Sequence, residues 1–93
     1  MLKEPLSAPD AETLARWILE QGTLRVSDHA AGELAKDRLS VVDAQNALRA
    51  GPCVSRDYIS QSWRYRFSTA KIAVVIAFRS ETVMVLVTAW RIK

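Results

Sequence analysis

Four side chains of this sequence are of types that can carry acid–base chemistry or hold an anion: His29, Tyr58, Arg64 and Arg66. His29 is the only histidine, and imidazole is the side chain best suited to gain and lose a proton near neutral pH. The forked donors of Arg64 and Arg66 would stabilise a crowded negative charge. Tyr58 could donate a proton beside a cation. Each also has an ordinary structural alternative, such as a surface histidine or a half-buried strand tyrosine.

The second half of the chain is distinctly basic. After residue 50 it has seven Lys and Arg residues against two acids, although the net charge of the whole chain is only +3. This asymmetry suggests an anionic partner for the second half, and RNA is the first candidate. Lys71 and Arg79 would contact it together with the two arginines named above.

The first half of the sequence contains most of the patterns that predict helices. Ser7 begins a helix with a hydroxyl cap, followed by proline and acid in the first turn, and Gly22 ends it. Ser40 and Asp43 resemble a capping box at the start of the clearest helix, which stops at Gly51.

The remaining segments predict a short strand over 24–27, a second helix over 29–36 capped by Asp28, and then only strands. The second half is rich in β-branched and aromatic residues, which favour strands. The strands predicted there cover 54–60, 63–67, 72–79 and 82–92.

Short polar links predict hairpins with two-residue loops at 69–70 and 80–81. Because side chains alternate along a strand, this register assigns the faces of the sheet. The apolar face, which should pack on the helices, takes Trp63, Tyr65, Phe67, Ile72, Val74, Ile76, Phe78, Val83, Val85 and Val87. The open face takes Arg64, Arg66, Ser68, Lys71, Ala73, Val75, Ala77, Arg79, Met84, Leu86, Thr88 and Trp90.

The predicted open face has cations around an apolar middle. Such a face suits RNA, because cations hold phosphates and an aromatic such as Trp90 can stack a base. It equally suits a protein partner that inserts an apolar helix and offers acids to the rim. Thr88 is a plausible polar site residue there.

Composition narrows the class of protein. Residues 1–93 should form one domain, with 1–8 loosely ordered. Cys53 is the only cysteine, so no intramolecular disulfide forms, and with one histidine a Cys/His zinc site is excluded. The apolar runs are strand-sized and no secretory signal is visible, so a cytoplasmic protein without a membrane partner is expected. Motifs for a cofactor are lacking.

Five motifs, at residues 27–30 (Ser-Asp-His-Ala), 39–40 (Leu-Ser), 47–51 (Ala-Leu-Arg-Ala-Gly), 63–65 (Trp-Arg-Tyr) and 85–89 (Val-Leu-Val-Thr-Ala), together carry a resemblance. In this order and spacing the chain resembles the domain of unknown function 4258 family, which is grouped with RelE, ParE and MqsR-like toxins. The resemblance covers about residues 24–91. It implies an α+β fold in which N-terminal helices pack on one face of a curved antiparallel β-sheet.

The resemblance also implies a function, that of a toxin-like component of a bacterial type II toxin–antitoxin system. Such a protein would be a metal-independent endoribonuclease (an mRNA interferase) in which the ribose 2′-hydroxyl attacks the adjacent phosphate. An antitoxin protein would be a partner, and no cofactor is implied. The catalytic set would be His29, Tyr58, Arg64 and Arg66, and the RNA-binding set Lys71, Arg79, Thr88 and Trp90.

Two departures keep alternatives open. Glu33 and Asp37 stand where the family often has arginines, although Arg38 lies beside the second position. A catalytically inactive RNA- or protein-binding module of the same fold is therefore the alternative. A third hypothesis is a DNA-binding regulator, because residues 29–48 resemble a helix-turn-helix, although few of its side chains could read bases.

Overall fold

The chain has an α+β fold, as predicted from its helix and strand patterns. A computed structural model describes residues 2–93, within which the chain forms three helices and five strands. In chain order they are α1 (Ala8–Gln21), β1 (Thr23–Val26), α2 (Asp28–Lys36), α3 (Val41–Ala50), β2 (Cys53–Ile59), β3 (Ser62–Ser68), β4 (Ile72–Phe78) and β5 (Val83–Arg91).

Side-chain caps begin α1 and α3 where the sequence predicts them. The Ser7 hydroxyl accepts a hydrogen bond from the backbone N–H of Asp10. At α3 the capping box is confirmed: Ser40 accepts from the Asp43 N–H, and the Asp43 carboxylate accepts from the Ser40 N–H at 2.8 Å. These hydrogen bonds lower the pKa of Asp43, because they favour the ionised carboxylate.

The start of α2 differs by one residue from the prediction. Ser27, not Asp28, is the cap, because the Ser27 hydroxyl accepts from the Ala30 N–H at 3.0 Å. Asp28 lies in the first turn instead, where its charge suits the positive end of the helix.

The sheet is mixed, which corrects the prediction of a purely antiparallel one. Its strand order is β1-β5-β4-β3-β2. The strands β2 to β5 form an antiparallel meander, but β1 pairs with β5 in parallel. A parallel neighbour needs a long connection, and here α2, α3 and the strands β2 to β4 lie between β1 and β5 in the chain.

One hydrophobic cluster contains buried residues from all three helices and from the sheet. The helices contribute small and aliphatic side chains such as Ala15, Ile18 and Leu48. The strands contribute alternate residues: Tyr65, Phe67, Val74, Ile76, Phe78, Met84, Leu86 and Ala89. Trp17 of α1 lies outside this cluster and is 46% exposed.

The hairpin between β3 and β4 preserves the predicted faces. Ser68 pairs with Ala73, so the turn lies at residues 70–71 rather than 69–70. This moves the pairing by two residues, and the period of two along a strand leaves each side chain on its predicted face.

The hairpin between β4 and β5 does not preserve them. Phe78 pairs with Met84 and Ile76 with Leu86, so both β5 residues lie in the core, and their assignment to the open face is wrong. Val83 and Val85 correspondingly lie on the opposite face, which is also contrary to prediction. The cause is a longer loop, in which the Ser80 hydroxyl accepts from the N–H groups of residues 82 and 83.

A β-bulge then restores the predicted faces, although the pairing stays two residues away from the predicted one. Beyond Leu86, Thr88 pairs with Val75 and Trp90 with Ala73, so Val87 is the extra residue. Thr88 and Trp90 therefore lie on the face predicted for them.

Residues 4–6, expected to be loose, are hydrogen-bonded to the sheet. The buried Tyr65 hydroxyl donates to the Glu4 carboxylate at 2.8 Å and accepts from the Leu6 N–H at 3.0 Å. Arg56 of β2 donates to the Leu6 carbonyl oxygen at 2.9 Å. Burial, with the nearby Glu4 carboxylate, raises the pKa of Tyr65 to about 12.

We expect the Tyr65 phenol to make stability fall at high pH. The folded state holds the neutral phenol up to a pKa of about 12, whereas an unfolded tyrosine ionises near pH ~10. Its contribution is thus complete below about pH 10 and is lost as the pH rises to about 12. Denaturant unfolding at pH 9 and pH 11 should show a larger loss of unfolding free energy for the native chain than for Tyr65→Phe. Equal losses would contradict this.

Candidate functional site

The sheet face turned away from the hydrophobic cluster, here called the outer face, carries most of the predicted site residues. It is defined by cross-strand partners that share one side of the sheet. Its residues are Thr23, Arg25, Ser55, Asp57, Arg64, Arg66, Ser68, Ala73, Val75, Ala77, Val83, Val85, Thr88 and Trp90. Ala73 and Ala77 are buried yet lie outside the core cluster, so they form a smooth floor.

Arg66 and Trp90 meet above the central strand. The Arg66 guanidinium carbon lies 4.8 Å from the centroid of the Trp90 ring. These residues belong to β3 and β5, on either side of β4, and their partners on β4 are Val75 and Ala73. The side chains can lean across β4 because Ala73 is small. A cation–π contact of this kind contributes about 0.5–2 kcal/mol.

Arg64 brings a second guanidinium to the same face. Its Nε atom is buried and has no hydrogen-bond partner within residues 2–93. Asp57 of β2 is its cross-strand neighbour, but no ion pair joins the two in the described chain. A buried N–H without a partner is uncommon, but it is closed to a ligand. The terminal guanidinium nitrogens of Arg64, which form no hydrogen bond in the described chain, are the groups that an acceptor from outside can reach.

Arg25 also lies on the outer face, and sequence reasoning misses it. It is exposed and pairs with Val85 of β5. The parallel pairing of β1 with β5 places it there, and no local pattern indicates which strand an isolated four-residue strand will join. A third arginine is thereby added to the two that were predicted.

The other predicted RNA-binding residues are spread along the sheet. Thr88 is half-buried on the outer face, opposite Val75. Lys71 lies in the turn before β4 and Arg79 directly after β4, and both are exposed. The length of β4 therefore separates Lys71 from Arg79.

Tyr58 lies on the opposite side of the sheet from Arg64 and Arg66. It pairs with Trp63, and the two rings are 5.3 Å apart. Trp63 packs against the core cluster, so Tyr58 shares the core side although it is 60% exposed at the edge. The sheet thus keeps this phenol away from the arginines.

His29 is likewise not in contact with the arginines. Its side chain is 67% exposed on α2, and its Nε2 atom lies 3.8 Å from the Glu33 carboxylate. The pairing follows from the i, i+4 spacing on one helical face. For the part of the chain described, this is its only ionic contact.

The two acids at expected arginine positions have contacts of their own. Glu33 also binds the Lys36 ammonium, at 3.3 Å. Asp37 accepts a hydrogen bond from the backbone N–H of Arg91 at 2.6 Å, and the Arg91 guanidinium donates to the Asp37 carbonyl oxygen at 3.3 Å. Asp37 therefore ties the end of α2 to the end of β5.

Cys53 is not a nucleophile of this site. It is buried in the core cluster, and burial, with the negative charge of Glu12, raises the pKa of its thiol. Since the thiolate is the reactive form, the chain keeps this residue inert.

A groove of about 750 Å³ lies elsewhere, between the N-terminal segment, α1 and the loop before β5. Its apolar lining includes Leu6, Leu14 and the exposed Trp17. None of the predicted site residues lines it, so it is separate from the outer face.

Comparison with protein-family models, with curated proteins and with solved structures finds no match to this chain. Across residues 2–93, no group of three or more His, Cys, Asp or Glu side chains is placed to hold a metal ion. None of the helices described is long and apolar enough to cross a membrane.

We expect Asp37 to matter for stability and Glu33 to matter little. Asp37→Ala removes the acceptor of the Arg91 N–H, at a cost of about 1 kcal/mol. Glu33→Ala, the matched control, removes only surface ion pairs and should change the unfolding free energy by less than about 0.5 kcal/mol. Denaturant titration of both variants measures the difference, and equal effects would show that the Asp37 link contributes nothing.

Proposed function

We propose that this chain binds RNA through the outer face of its sheet. The observation that carries the proposal is a group of three arginines without an acidic partner in the described chain: Arg25, Arg64 and Arg66. They surround a floor of small and apolar residues on which Trp90 lies. Arginines of this kind are the usual means of holding phosphates.

Electrostatics supports the proposal. Asp57, across from Arg64, is the one acid within the five strands. The three arginines outweigh it, so the field of the face is positive. A phosphate oxygen could accept hydrogen bonds from the terminal guanidinium nitrogens of Arg64, which have no acceptor in the described chain. Arg66, held over Trp90, offers both charge and a flat surface. An acidic protein could use the same cations, but the flat surface of the Arg66–Trp90 contact favours bases.

The RelE-like fold and the toxin–antitoxin class belong to the same proposal. The resemblance of the five motifs supports them, and so does the chain order of a strand, two helices and an antiparallel meander. In this proposal the helices cover one face of a curved sheet, the outer face takes RNA, and an antitoxin protein would compete for it.

A binding role is favoured over catalysis by the placement of the acid–base candidates. General acid–base catalysis needs the proton-transferring group within hydrogen-bonding reach of the reacting atoms. Tyr58 lies across the sheet from the arginines, and His29 contacts only Glu33 in the described chain. We therefore infer that the outer face binds RNA without cleaving it.

The test is binding of a short labelled RNA, measured by fluorescence anisotropy over a range of salt concentrations. Arg64→Ala with Arg66→Ala should weaken binding at least tenfold and reduce the slope of log K against log salt by about 0.7 for each phosphate contact that is lost. The control removes two cations from the helices, Lys36→Ala with Arg49→Ala. These residues form only surface ion pairs.

The control should bind like the native chain. Equal weakening in both double variants would mean diffuse charge attraction rather than an outer-face site. No RNA binding by the folded native chain, with capture of an acidic protein instead, would replace the proposal with a protein-binding role.

A metal-independent endoribonuclease is the second candidate, and the pairing of an exposed His29 with Glu33 favours it. A carboxylate beside an imidazole can orient it as a general base. In that case the native chain should cleave RNA in the presence of a metal chelator and arrest growth when expressed in bacteria. His29→Ala should abolish both effects but leave RNA binding unchanged. Absence of cleavage, or equal cleavage by both chains, would remove this candidate.

A further inference from the structure

The Arg66–Trp90 contact decides which group on the outer face meets a ligand first. Arg66 is exposed, whereas Trp90 is half-buried. Because the guanidinium lies over the indole ring, it covers one face of that ring. The surface presented to solvent is then the guanidinium of Arg66, and the indole supports it from below.

Apart from its contact with Trp90, the Arg66 guanidinium is unpaired in the described chain. It makes no hydrogen bond or ion pair in the described part of the chain, unlike Arg56, which binds the Leu6 carbonyl oxygen at 2.9 Å. A planar guanidinium stacks well on flat rings. Held against an indole, it has already lost much of the rotamer freedom that stacking would otherwise cost.

Arg64 places a phosphate-binding group beside this surface. It precedes Arg66 by two residues on the same strand and the same face, a separation of about 6.6–6.8 Å along the strand. A base stacked on Arg66 would therefore have a flanking phosphate close to the guanidinium of Arg64.

We infer that Arg66 and Trp90 form a stacking site for one unpaired nucleotide base, with Arg64 on an adjacent phosphate. The inference rests on the proposed function and names its substrate class: single-stranded RNA, not duplex. In a duplex the bases already stack on one another, and a flat sheet cannot enter the narrow major groove of A-form RNA. Trp90 is a positioning residue, since it acts through Arg66.

The experiment compares an oligoribonucleotide with an abasic chain of the same length and charge. The native chain should bind the base-containing strand about tenfold more tightly, the scale of one stacked base. Arg66→Lys keeps the charge but not the plane, so it should bind both strands alike, with the salt dependence unchanged. Trp90→Phe keeps an aromatic ring and should retain most of the preference.

Arg49→Lys is the matched control, because Arg49 is an exposed arginine of α3, outside the outer face, with no aromatic contact in the described chain, and it should keep the full preference. Circular dichroism establishes that each variant is folded. A parallel series with single-stranded DNA tests whether the ribose contributes, and equal binding of DNA would overturn the assignment to RNA.

The outcomes separate the two proposals. If the native chain binds duplex, single-stranded and abasic strands equally, the stacking site is overturned while RNA binding by the outer face survives. If Arg66→Lys keeps the native preference for bases, Arg66 is not the stacking surface. If the native chain binds none of these strands, the proposed function itself fails.

Discussion

The central strand β4 constrains the rest of the sheet, because it is buried on both of its faces. Val74, Ile76 and Phe78 lie in the core cluster, so the residues of β4 that alternate with them must point to the outer face. Two of those residues, Ala73 and Ala77, have almost no exposed surface. Their small size lets long side chains from β3 and β5 lie across β4. The aliphatic face builds the core, and the alanine face makes room for the arginine–tryptophan contact.

A single extra residue in β5 determines which side chains of this strand face the core and which face the candidate site. Before the bulge, Met84 and Leu86 point into the core, and after it Ala89 does so while Thr88 and Trp90 point outward. If Val87 continued the regular alternation instead of forming a bulge, Trp90 would point towards the core and Ala89 towards the outer face. Bulges commonly redirect a side chain in this way. The Arg66–Trp90 contact therefore depends on an irregularity of the backbone as much as on the two residue types.

Local chemistry predicts the elements of this fold better than their partners. The capping box of Ser40 and Asp43 is visible in four residues of sequence, and so are the strands rich in β-branched residues. The faces of β5 are not predictable, because residues 80–82 fit loops of different length and nothing in the sequence marks the bulge. The parallel place of β1 beside β5 depends on contacts about sixty residues apart. For this reason the sequence does not indicate Arg25 as a site residue. It also groups Tyr58 with arginines that lie on the other side of the sheet.

The same acids that weaken the helix α2 as a phosphate site help to position the outer face. Asp37 stands where the resembled family often has an arginine, and its carboxylate accepts the backbone N–H of Arg91. Arg91 directly follows Trp90, so this hydrogen bond fixes the end of the strand that carries the indole. Glu33 similarly takes up Lys36 and His29 on the helix surface. The Lys36 ammonium is thus paired within α2, while the arginines of the outer face form no ion pair in the described chain. This division of charge directs an anionic ligand to the sheet rather than to the helix, and it favours binding on the outer face over chemistry at His29.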